Sequence, residues 1–297
     1  MAQSTAFLTY DAAGNREDLM DVVTNISPTD TPMFSGFKKS KASARYHEWM
    51  TESLAAAASN AQIEGLDYTF SKPTARSRGG GYTQILLKLV EVSGTQESVD
   101  KAGVESEYAH RMQNALKEIA RDAEYAIVNG TGNSGASGTA RALKGVLAWI
   151  TTNVETGSGT GTQALTETMY NDLLQTVYDQ GGNPDTTYAN GWQKRKISAF
   201  STPSTRNIDA EDKKLVASVD VYESDFGLQT IVLDRYMPTD KVAVLEKDKW
   251  SVAVLRPFKS EEVAKIGDAY RGAVVGEFTL ASLNEAASGQ ITELSTS

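Results

Sequence analysis

Two extended stretches set the architecture of this chain: residues 44–50, Ala-Arg-Tyr-His-Glu-Trp-Met, and residues 82–92, Tyr-Thr-Gln-Ile-Leu-Leu-Lys-Leu-Val-Glu-Val. Both are rich in aromatic and β-branched residues, and in the first one Tyr46 and Met50 share a face, as in a half-buried strand. The segment between them, which includes three glycines at 79–81, is mostly small or polar. This pattern predicts a long β-hairpin. Because an isolated hairpin is marginal in water, it needs a partner sheet from this chain or from another.

Two short helices are predicted ahead of the hairpin. The first begins after the capping residue Asn15 and ends at Pro28. The second begins at Thr31, with Pro32 at its first helical position. Its apolar anchors are Met33, Phe34 and Phe37. Helices this short are unstable alone, so both require a surface to lie on.

A long amphipathic helix follows a break at Ser93-Gly94. Apolar residues recur at three- and four-residue steps from near Lys101 onward, and Asn129-Gly130 supplies a C-terminal stop. The residues of this stripe are Val104, Tyr108, Met112, Leu116, Ile119, Ala123 and Ile127. A helix of about 25 residues is on the order of 38 Å long. We expect it to lie on a sheet as a rigid spine.

The remainder of the chain separates helices from strands. Residues 129–140 and 151–163 are rich in Gly, Ser and Thr and are predicted to be flexible links. Helices are predicted over residues 166–180 and 188–200. Strands are predicted over residues 216–222, 229–233, 241–246, 250–255 and 272–283. This segregation is typical of an α+β fold rather than a doubly wound α/β fold.

Composition limits the classes of function. The chain has 297 residues, of which 40% are hydrophobic and 23% charged, as in ordinary globular proteins. Its net charge of −9 argues against nucleic-acid binding as the main activity, because phosphate neutralisation needs a basic surface. The absence of cysteine excludes disulfides, thiolate nucleophiles and cysteine metal sites. No apolar run reaches the roughly 18 residues that span a bilayer.

No catalytic, cofactor or metal site is predicted. His47 has no second histidine at the spacing of a zinc pair, and His110 lies on the long helix. The Gly-rich segment 130–141 lacks the lysine of a phosphate-binding loop and follows a helix instead of a strand. Basic residues gather at 38–45 and 76–78. They are either solvated side chains or contacts to acidic surfaces on adjacent copies.

Two groups of residues, one near each end of the chain, carry a family resemblance. The first comprises Arg16-Glu17-Asp18-Leu19 and Asn25-Ile26-Ser27-Pro28-Thr29-Asp30-Thr31-Pro32-Met33. The second comprises Lys265-Ile266-Gly267-Asp268 and Gly272-Ala273-Val274-Val275-Gly276-Glu277-Phe278-Thr279-Leu280. With the order of arm, hairpin, spine helix and mixed domain, these groups resemble the major capsid proteins of tailed bacteriophages, which have the Hong Kong 97 type of fold.

The resemblance implies a division of the chain. Residues 1–44 would form an N-terminal arm and residues 45–93 an extended β-hairpin, the E-loop. Residues 94–142 and 251–297 would form a peripheral domain, with the spine helix on a β-sheet, and residues 143–250 a mixed axial domain. In this family the arm and the hairpin cross neighbouring subunits. The candidate subunit-interface residues are Phe34, Phe37, Lys38, Lys41, Arg45, Trp49, Arg76 and Arg78.

The resemblance implies a structural function without enzymatic activity or cofactor. The chain would assemble with itself, as pentamers and hexamers, into the icosahedral head of a tailed phage. The head would enclose double-stranded DNA without sequence-specific binding and without a membrane. Portal, scaffold and decoration proteins are implied as further partners, and the virion, assembled in the host cytoplasm, as the location. Two alternatives stay open: an encapsulin-type nanocompartment shell, and an oligomeric cytoplasmic enzyme.

Overall fold

The computed structural model describes residues 30–67, 70, 72–157, 163–200 and 220–296. Six α-helices lie in these ranges: α1 (Pro32–Gly36), α2 (Gly94–Ser98), α3 (Glu107–Asn129), α4 (Val146–Trp149), α5 (Glu167–Asp179) and α6 (Gly191–Ser198). Fourteen β-strands accompany them: β1 (Lys38–Lys41), β2 (Tyr46–Thr51), β3 (Ser77–Tyr82), β4 (Gln84–Ser93), β5 (Thr131–Asn133), β6 (Ala142–Lys144), β7 (Val154–Thr156), β8 (Thr186–Ala189), β9 (Val221–Ser224), β10 (Gly227–Leu233), β11 (Val242–Leu245), β12 (Trp250–Val263), β13 (Ala269–Ser282) and β14 (Gly289–Thr292). The helix predicted after Asn15 lies outside the described residues.

The first sheet has the strand order β1-β12-β13-β4 and carries α3 on one face. Its central strands, β12 and β13, are antiparallel and 14 residues long. Strand β4 extends the sheet through ten register pairs with β13. Leu86, Val90 and Val274 of the sheet pack against Ala115 and Ile119 of α3. The predicted spine helix on a β-sheet is therefore confirmed.

The predicted hairpin exists, but of residues 82–92 only Tyr82 belongs to its second strand. Strand β2 pairs with β3 over six register pairs, whereas β4 belongs to the first sheet. Strand β3 contains the three glycines that the sequence analysis placed in the tip. Glycine is required there because a Cβ atom on Gly80 would lie 2.7 Å from the ring of Tyr46. The low β-propensity of glycine concealed this strand in the sequence.

The second sheet has the strand order β7-β14-β11-β8-β10-β9, and α5 and α6 pack against it. Strand β14 brings the C-terminal part of the chain into this sheet. The residues of its core are Leu165, Met169, Tyr170, Leu173, Leu174, Ala189, Ile197, Ile231, Val242, Val244, Ile291 and Leu294. The predicted helix over 188–200 is only partly correct, because its first residues belong to β8. Helix α6 starts after Asn190, whose side-chain oxygen accepts a hydrogen bond from the Trp192 backbone N–H at 3.3 Å.

The predicted flexible link at 129–140 is instead an ordered β-hairpin, made of β5 and β6. Ala136 and Thr139 exchange backbone hydrogen bonds at its tip. Gly132 and Gly138 have positive φ angles, which glycine adopts without steric cost. The glycines therefore shape tight turns and do not mark flexibility. The second predicted link, 151–163, likewise contains a strand, β7.

The long helix α3 begins later than predicted. Its cap is Ser106, whose Oγ accepts a hydrogen bond from the Ala109 backbone N–H at 3.2 Å. The C-terminal half of the predicted apolar stripe is buried most deeply, with Ile119 and Ile127 at most 2% exposed. This half lies close to α1, which is the part of the arm that the structure describes.

Helix α1 joins the two sheets within one subunit. Its residue Met33 and the adjoining Phe37 are buried. The Phe37 ring lies 6.2 Å from the ring of Trp250, in the first sheet, and 6.3 Å from the ring of Tyr188, in the second. The surface that α1 was predicted to need is therefore its own chain. Phe37 is a core residue of the subunit and not an exposed anchor for a neighbour.

We predict that Phe37→Ala lowers the free energy of unfolding by about 3–5 kcal/mol, because it leaves a cavity between the two sheets. Chemical denaturation of unassembled subunits measures this change. Phe70→Ala is the matched control, because Phe70 is 94% exposed and its loss leaves no cavity. Equal stability of the two variants would contradict the joining role of α1.

Candidate subunit-interface surfaces

The hairpin made of β2 and β3 forms a two-stranded sheet of its own, and its strand β3 contacts β13, β5 and β6. At its base the ring of Trp49 lies 5.5 Å from that of Trp149 in α4. A cleft of about 670 Å³ opens between the hairpin strands and residues 282–285. Toward the tip, apolar side chains of the described residues are exposed to solvent: Leu54 is 95% exposed and Ile63 is 75% exposed. We call residues 52–76 the hairpin tip.

A buried carboxylate holds the base of the hairpin. Glu277 of β13 is 4% exposed. Its Oε1 accepts hydrogen bonds from Thr83 Oγ1 at 2.6 Å and Arg141 Nη2 at 2.8 Å, and its Oε2 accepts one from Arg256 Nε at 3.0 Å. The backbone N–H of Thr83 also donates to the carbonyl of Arg45 at 2.8 Å, just before β2. One side chain therefore links the hairpin, the segment before β6 and strand β12.

We predict that Glu277→Gln lowers the free energy of unfolding by about 2–4 kcal/mol, because an amide cannot satisfy two arginines and a hydroxyl in a buried site. Thermal or chemical unfolding of the unassembled subunit measures this loss. Glu91→Gln is the control, since Glu91 forms a largely exposed pair with Arg271 and such pairs contribute about 0–1 kcal/mol. If the two variants lose the same stability, Glu277 does not hold the hairpin base.

A second buried carboxylate holds the start of α1. Glu124 of α3 is fully buried and accepts hydrogen bonds from the backbone N–H groups of Met33 and Phe34, each at 2.7 Å. Those groups lack partners inside the helix because they lie in its first turn. Burial raises the pKa of Glu124 to about 7, and the nearby Asp234 adds to this rise. The two backbone hydrogen bonds and the charge of Lys39 act in the opposite direction, but burial outweighs them.

This raised pKa predicts a stability that depends on pH. Because the folded state holds the Glu124 proton more tightly than the unfolded chain, stability is greatest below the unfolded pKa, near 4.5, and falls as the pH rises toward 7. The loss attributable to Glu124 is about 3 kcal/mol. We predict that Glu124→Gln flattens the dependence between pH 4.5 and 7 in chemical denaturation of unassembled subunits. An unchanged slope in that variant would assign the effect to other groups.

The aromatic residues among the predicted interface candidates contact their own chain. Phe37 is in the core described above. Phe34 is half-buried, with its ring 5.8 Å from that of Phe278 and 6.1 Å from that of Phe258. Trp49 packs on Trp149 at the base of the hairpin. Their packing within the subunit leaves Trp49 and Phe34 only partly accessible, and their contact with other subunits stays a prediction.

The basic candidates lie on the surface. Lys38 pairs with Asp248 at 2.9 Å, Arg76 with Glu52 at 3.0 Å and Arg78 with Glu48 at 3.6 Å. All three pairs are solvent-exposed, so each contributes little to stability. Lys41 and Arg45 are also exposed. The choice between solvated side chains and contacts to adjacent copies stays open for these residues.

The structure reveals one apolar surface that the sequence analysis did not predict. Ile85, Leu87 and Leu89 of β4 point away from α3, on the other face of the first sheet, and are all exposed. We call these three residues the β4 stripe. Their alternation with Leu86 and Val90 is visible in the sequence. Assigning the segment to the hairpin hid the exposure of its second apolar face, which is seen among the residues that the structure describes.

The side chains that could bind a metal ion or act in catalysis are the acidic residues and the two histidines. No three or more of their His, Cys, Asp and Glu side chains form a group that could hold a metal ion. His110 Nε2 lies 3.1 Å from Asn114 Nδ2, and the His47 ring lies 6.0 Å from that of Trp49. Within the same part of the chain, no helix combines the length and the apolar character needed to cross a membrane.

A spine helix on one sheet, a second sheet joined to it through α1, and a projecting hairpin define a capsid subunit of the Hong Kong 97-like fold. The family model for the SU10 major capsid protein matches residues 3–295, and the chain belongs to this family. It is therefore a structural capsid protein of a tailed phage and a component of the virion, not an enzyme.

Individual relatives agree with this assignment. The major capsid protein of Escherichia phage Phieco32 is 24% identical over an alignment of 343 positions, gaps included, and the alignment covers 97% of each protein. The capsid asymmetric unit of cyanophage A-1(L) superposes with a TM-score of 0.73 at 13% identity, covering 97% of this chain and 99% of that one. The encapsulin of the holo-SrpI complex from Synechococcus elongatus PCC 7942 gives a TM-score of 0.61 at 10% identity, covering 95% and 93% of the two chains. Both of these structural likenesses show a shared fold alone.

Proposed function

We propose that this chain forms the icosahedral head of a tailed phage, as pentamers and hexamers that enclose the double-stranded DNA genome. The observation that carries the proposal is the projecting hairpin with its bare apolar tip. Soluble monomers rarely expose large contiguous apolar surfaces, whereas obligate interfaces bury them. Assembly into a shell supplies a neighbour for every hairpin. Because an encapsulin shares this fold, the fold alone fits either a phage head or an encapsulin shell. Membership of the capsid family favours the phage head.

The strand pairings support a modified division of the subunit. We assign residues 1–44 to the arm, with α1 as its fixed end, and shorten the E-loop from 45–93 to 45–83, because β4 pairs with β13. The peripheral domain then comprises 84–142 and 250–282. The axial domain comprises 143–249 and gains 283–297, because β14 pairs with β11 and β7 in the second sheet.

Charge supports a shell that holds DNA without binding a particular sequence. With a net charge of −9, the subunit lacks the overall positive charge that phosphate binding requires. The exposed Lys41 and Arg45 meet acidic surfaces of neighbouring subunits, which makes assembly sensitive to salt. Portal, scaffold and decoration proteins complete the set of partners. Assembly takes place in the host cytoplasm.

We predict that replacing Ser53–Ala75 by a short Gly-Ser turn leaves the subunit folded but prevents stable shells. Strands β2 and β3 and the Glu277 contacts stay intact in this variant, so the loss isolates the hairpin tip. Circular dichroism checks the fold, and negative-stain microscopy with sedimentation checks assembly. Replacement of residues 158–162 by the same Gly-Ser turn, which leaves the hairpin tip in place, is the control.

Three outcomes would contradict the proposal. Normal shells from the deletion variant would show that the tip is dispensable. Dispersed monomers of the unaltered chain at all salt concentrations would argue against a self-assembling shell. Shells filled with cellular protein in place of phage DNA would favour the encapsulin alternative.

A further inference from the structure

A buried pair of acids lies beneath α1, at the point where the arm joins the body of the subunit. Both carboxylate oxygens of Glu124, on α3, accept hydrogen bonds from backbone N–H groups of α1 at 2.7 Å. Asp234 follows β10 directly and is 1% exposed. The negative charge of Asp234 acts on Glu124 and adds to the rise of its pKa. We call Glu124 and Asp234 the acidic pair.

Asp234 is only partly satisfied by hydrogen bonds. Its Oδ1 accepts a hydrogen bond from the backbone N–H of Tyr236 at 2.8 Å. Its Oδ2 is buried and has no hydrogen-bond partner within the described part of the chain. Burial raises the pKa of Asp234, while the backbone N–H groups of Tyr236 and Met237 act in the opposite direction. A charge on this carboxylate is therefore poorly compensated by the folded chain.

The charged and titratable groups around the acidic pair come from β1, α3, β8, the segment after β10 and the segment after β11. Lys39, in β1, is exposed, and its Nζ donates a hydrogen bond to the carbonyl of Phe34. The others are Arg121, bonded to Tyr236, Arg235, paired with Asp30, Lys247, beside Gly36, and the neighbouring Asp185 and Tyr188. Among the cations, Lys39 is the one whose charge lowers the pKa of Glu124. The two charges of the ionised pair thus face one ammonium group at the surface.

Helix α1 covers the Glu124 carboxylate. The N–H groups of Met33 and Phe34 lie directly on its oxygens, and the Met33 side chain is buried in the same core cluster as Phe37. The two hydrogen bonds favour the ionised form, but burial outweighs them and raises the pKa of Glu124 to about 7. Water can solvate the ionised carboxylate when α1 moves away from α3, whereas the protonated acid gains much less from water. Ionisation therefore favours an open position of α1.

A local opening of α1 is compatible with the rest of the fold. The helix has five residues and little stability of its own, and local openings cost less free energy than global unfolding. The core of the second sheet contains no residue of α1. The contact of α3 with the first sheet has a cluster of its own, made of Ala115, Ile119 and Val274. The body can therefore keep its structure while α1 is displaced.

We propose that the acidic pair controls the docking of α1 by protonation. Helix α1 stays closed while Glu124 is protonated. As the pH rises and Glu124 ionises beside Asp234, α1 opens locally and frees the arm to leave the body in another direction. The inference goes beyond the proposed shell, because it concerns a single subunit. It also differs from a general loss of stability, because the open subunit retains both sheets.

Hydrogen exchange of the full-length, unassembled subunit, followed by mass spectrometry, tests the opening of α1. The protection factor of residues 31–38 is measured from about pH 5 to about pH 8 and corrected for the intrinsic exchange rate at each pH. We expect it to fall by up to about 70-fold, the change that a rise in pKa from 4.5 to about 7 produces over this range. A protection factor that does not change with pH would overturn the proposal.

Three variants identify the groups responsible. Glu124→Gln removes the ionisation and should keep the protection of α1 nearly constant with pH. Asp234→Asn leaves the hydrogen bonds of Glu124 to α1 intact and should reduce the fall, because the neighbouring negative charge is lost. It keeps the test decisive if the first variant does not fold. Glu118→Gln is the matched control, since Glu118 lies on the same helix, is exposed and pairs with Lys88. Equal falls in all three variants would overturn the proposal.

Urea separates a local opening from global unfolding. Residues 169–177 of α5 are the reference, because they belong to the core of the second sheet. We expect α1 to be less protected than this reference and its exchange to depend little on low urea concentrations, since a local opening exposes little surface. Equal protection and equal urea dependence would show that α1 opens only with the whole fold, and would overturn the proposal. Shell formation plays no part in these measurements, so a failure of the proposed function is seen separately, by microscopy.

Discussion

The burial of one short helix between two sheets is the contact on which the rest of this subunit depends. Helix α1 has five residues, far too few to be stable alone, and it persists because Met33 and Phe37 are enclosed by Trp250 and Tyr188 from different sheets. The carboxylate of Glu124 satisfies the backbone N–H groups at its start, at the cost of placing an acid in the interior. The arm is thereby fixed to the body, and the relative position of the two sheets is fixed with it.

Glu277 holds the base of the hairpin in the same way as Glu124 holds the start of α1. Each is a buried carboxylate that accepts hydrogen bonds from the element it holds. Buried ion clusters contribute little net stability compared with apolar packing, because desolvation offsets most of the attraction. Their contribution is geometrical, since the cluster is satisfied in one arrangement of Thr83, Arg141 and Arg256 only. For an assembly subunit this is the useful property. The proposed contact of the hairpin with a neighbouring subunit requires a defined direction at the hairpin base more than additional stability along its length.

Elements with a strong local sequence pattern were predictable from the sequence. Elements whose residues are determined by contacts with other parts of the same chain were not. The spine helix followed from its apolar stripe, and β10, β11, β13 and the first half of β12 followed from their β-rich runs. Strand β14 was missed, because its four residues pair with β11 and β7 and have no β-rich pattern of their own. Strand β3 was hidden because its glycines are dictated by the rings of Tyr46 and Trp49 across the hairpin. Phe37 was placed among the candidate subunit-interface residues because its neighbours within the subunit, Trp250 and Tyr188, are more than 150 residues away in the chain. The buried state of Glu277 is equally invisible until the fold brings two arginines to it.

The two edges of the first sheet show how the subunit controls its contacts. Edge strand β1 presents Lys38, Lys39 and Lys41, all exposed, and lysines on an edge discourage pairing with another strand. The opposite edge strand, β4, instead carries exposed leucines on its free face. An exposed apolar row of this kind is the type of surface that obligate interfaces bury, whereas a row of lysines on an edge disfavours the pairing of a further strand. The two edges of one sheet therefore differ in the contacts that they permit. The edge at β1 resists strand addition through its charge, and the edge at β4 offers apolar area for packing.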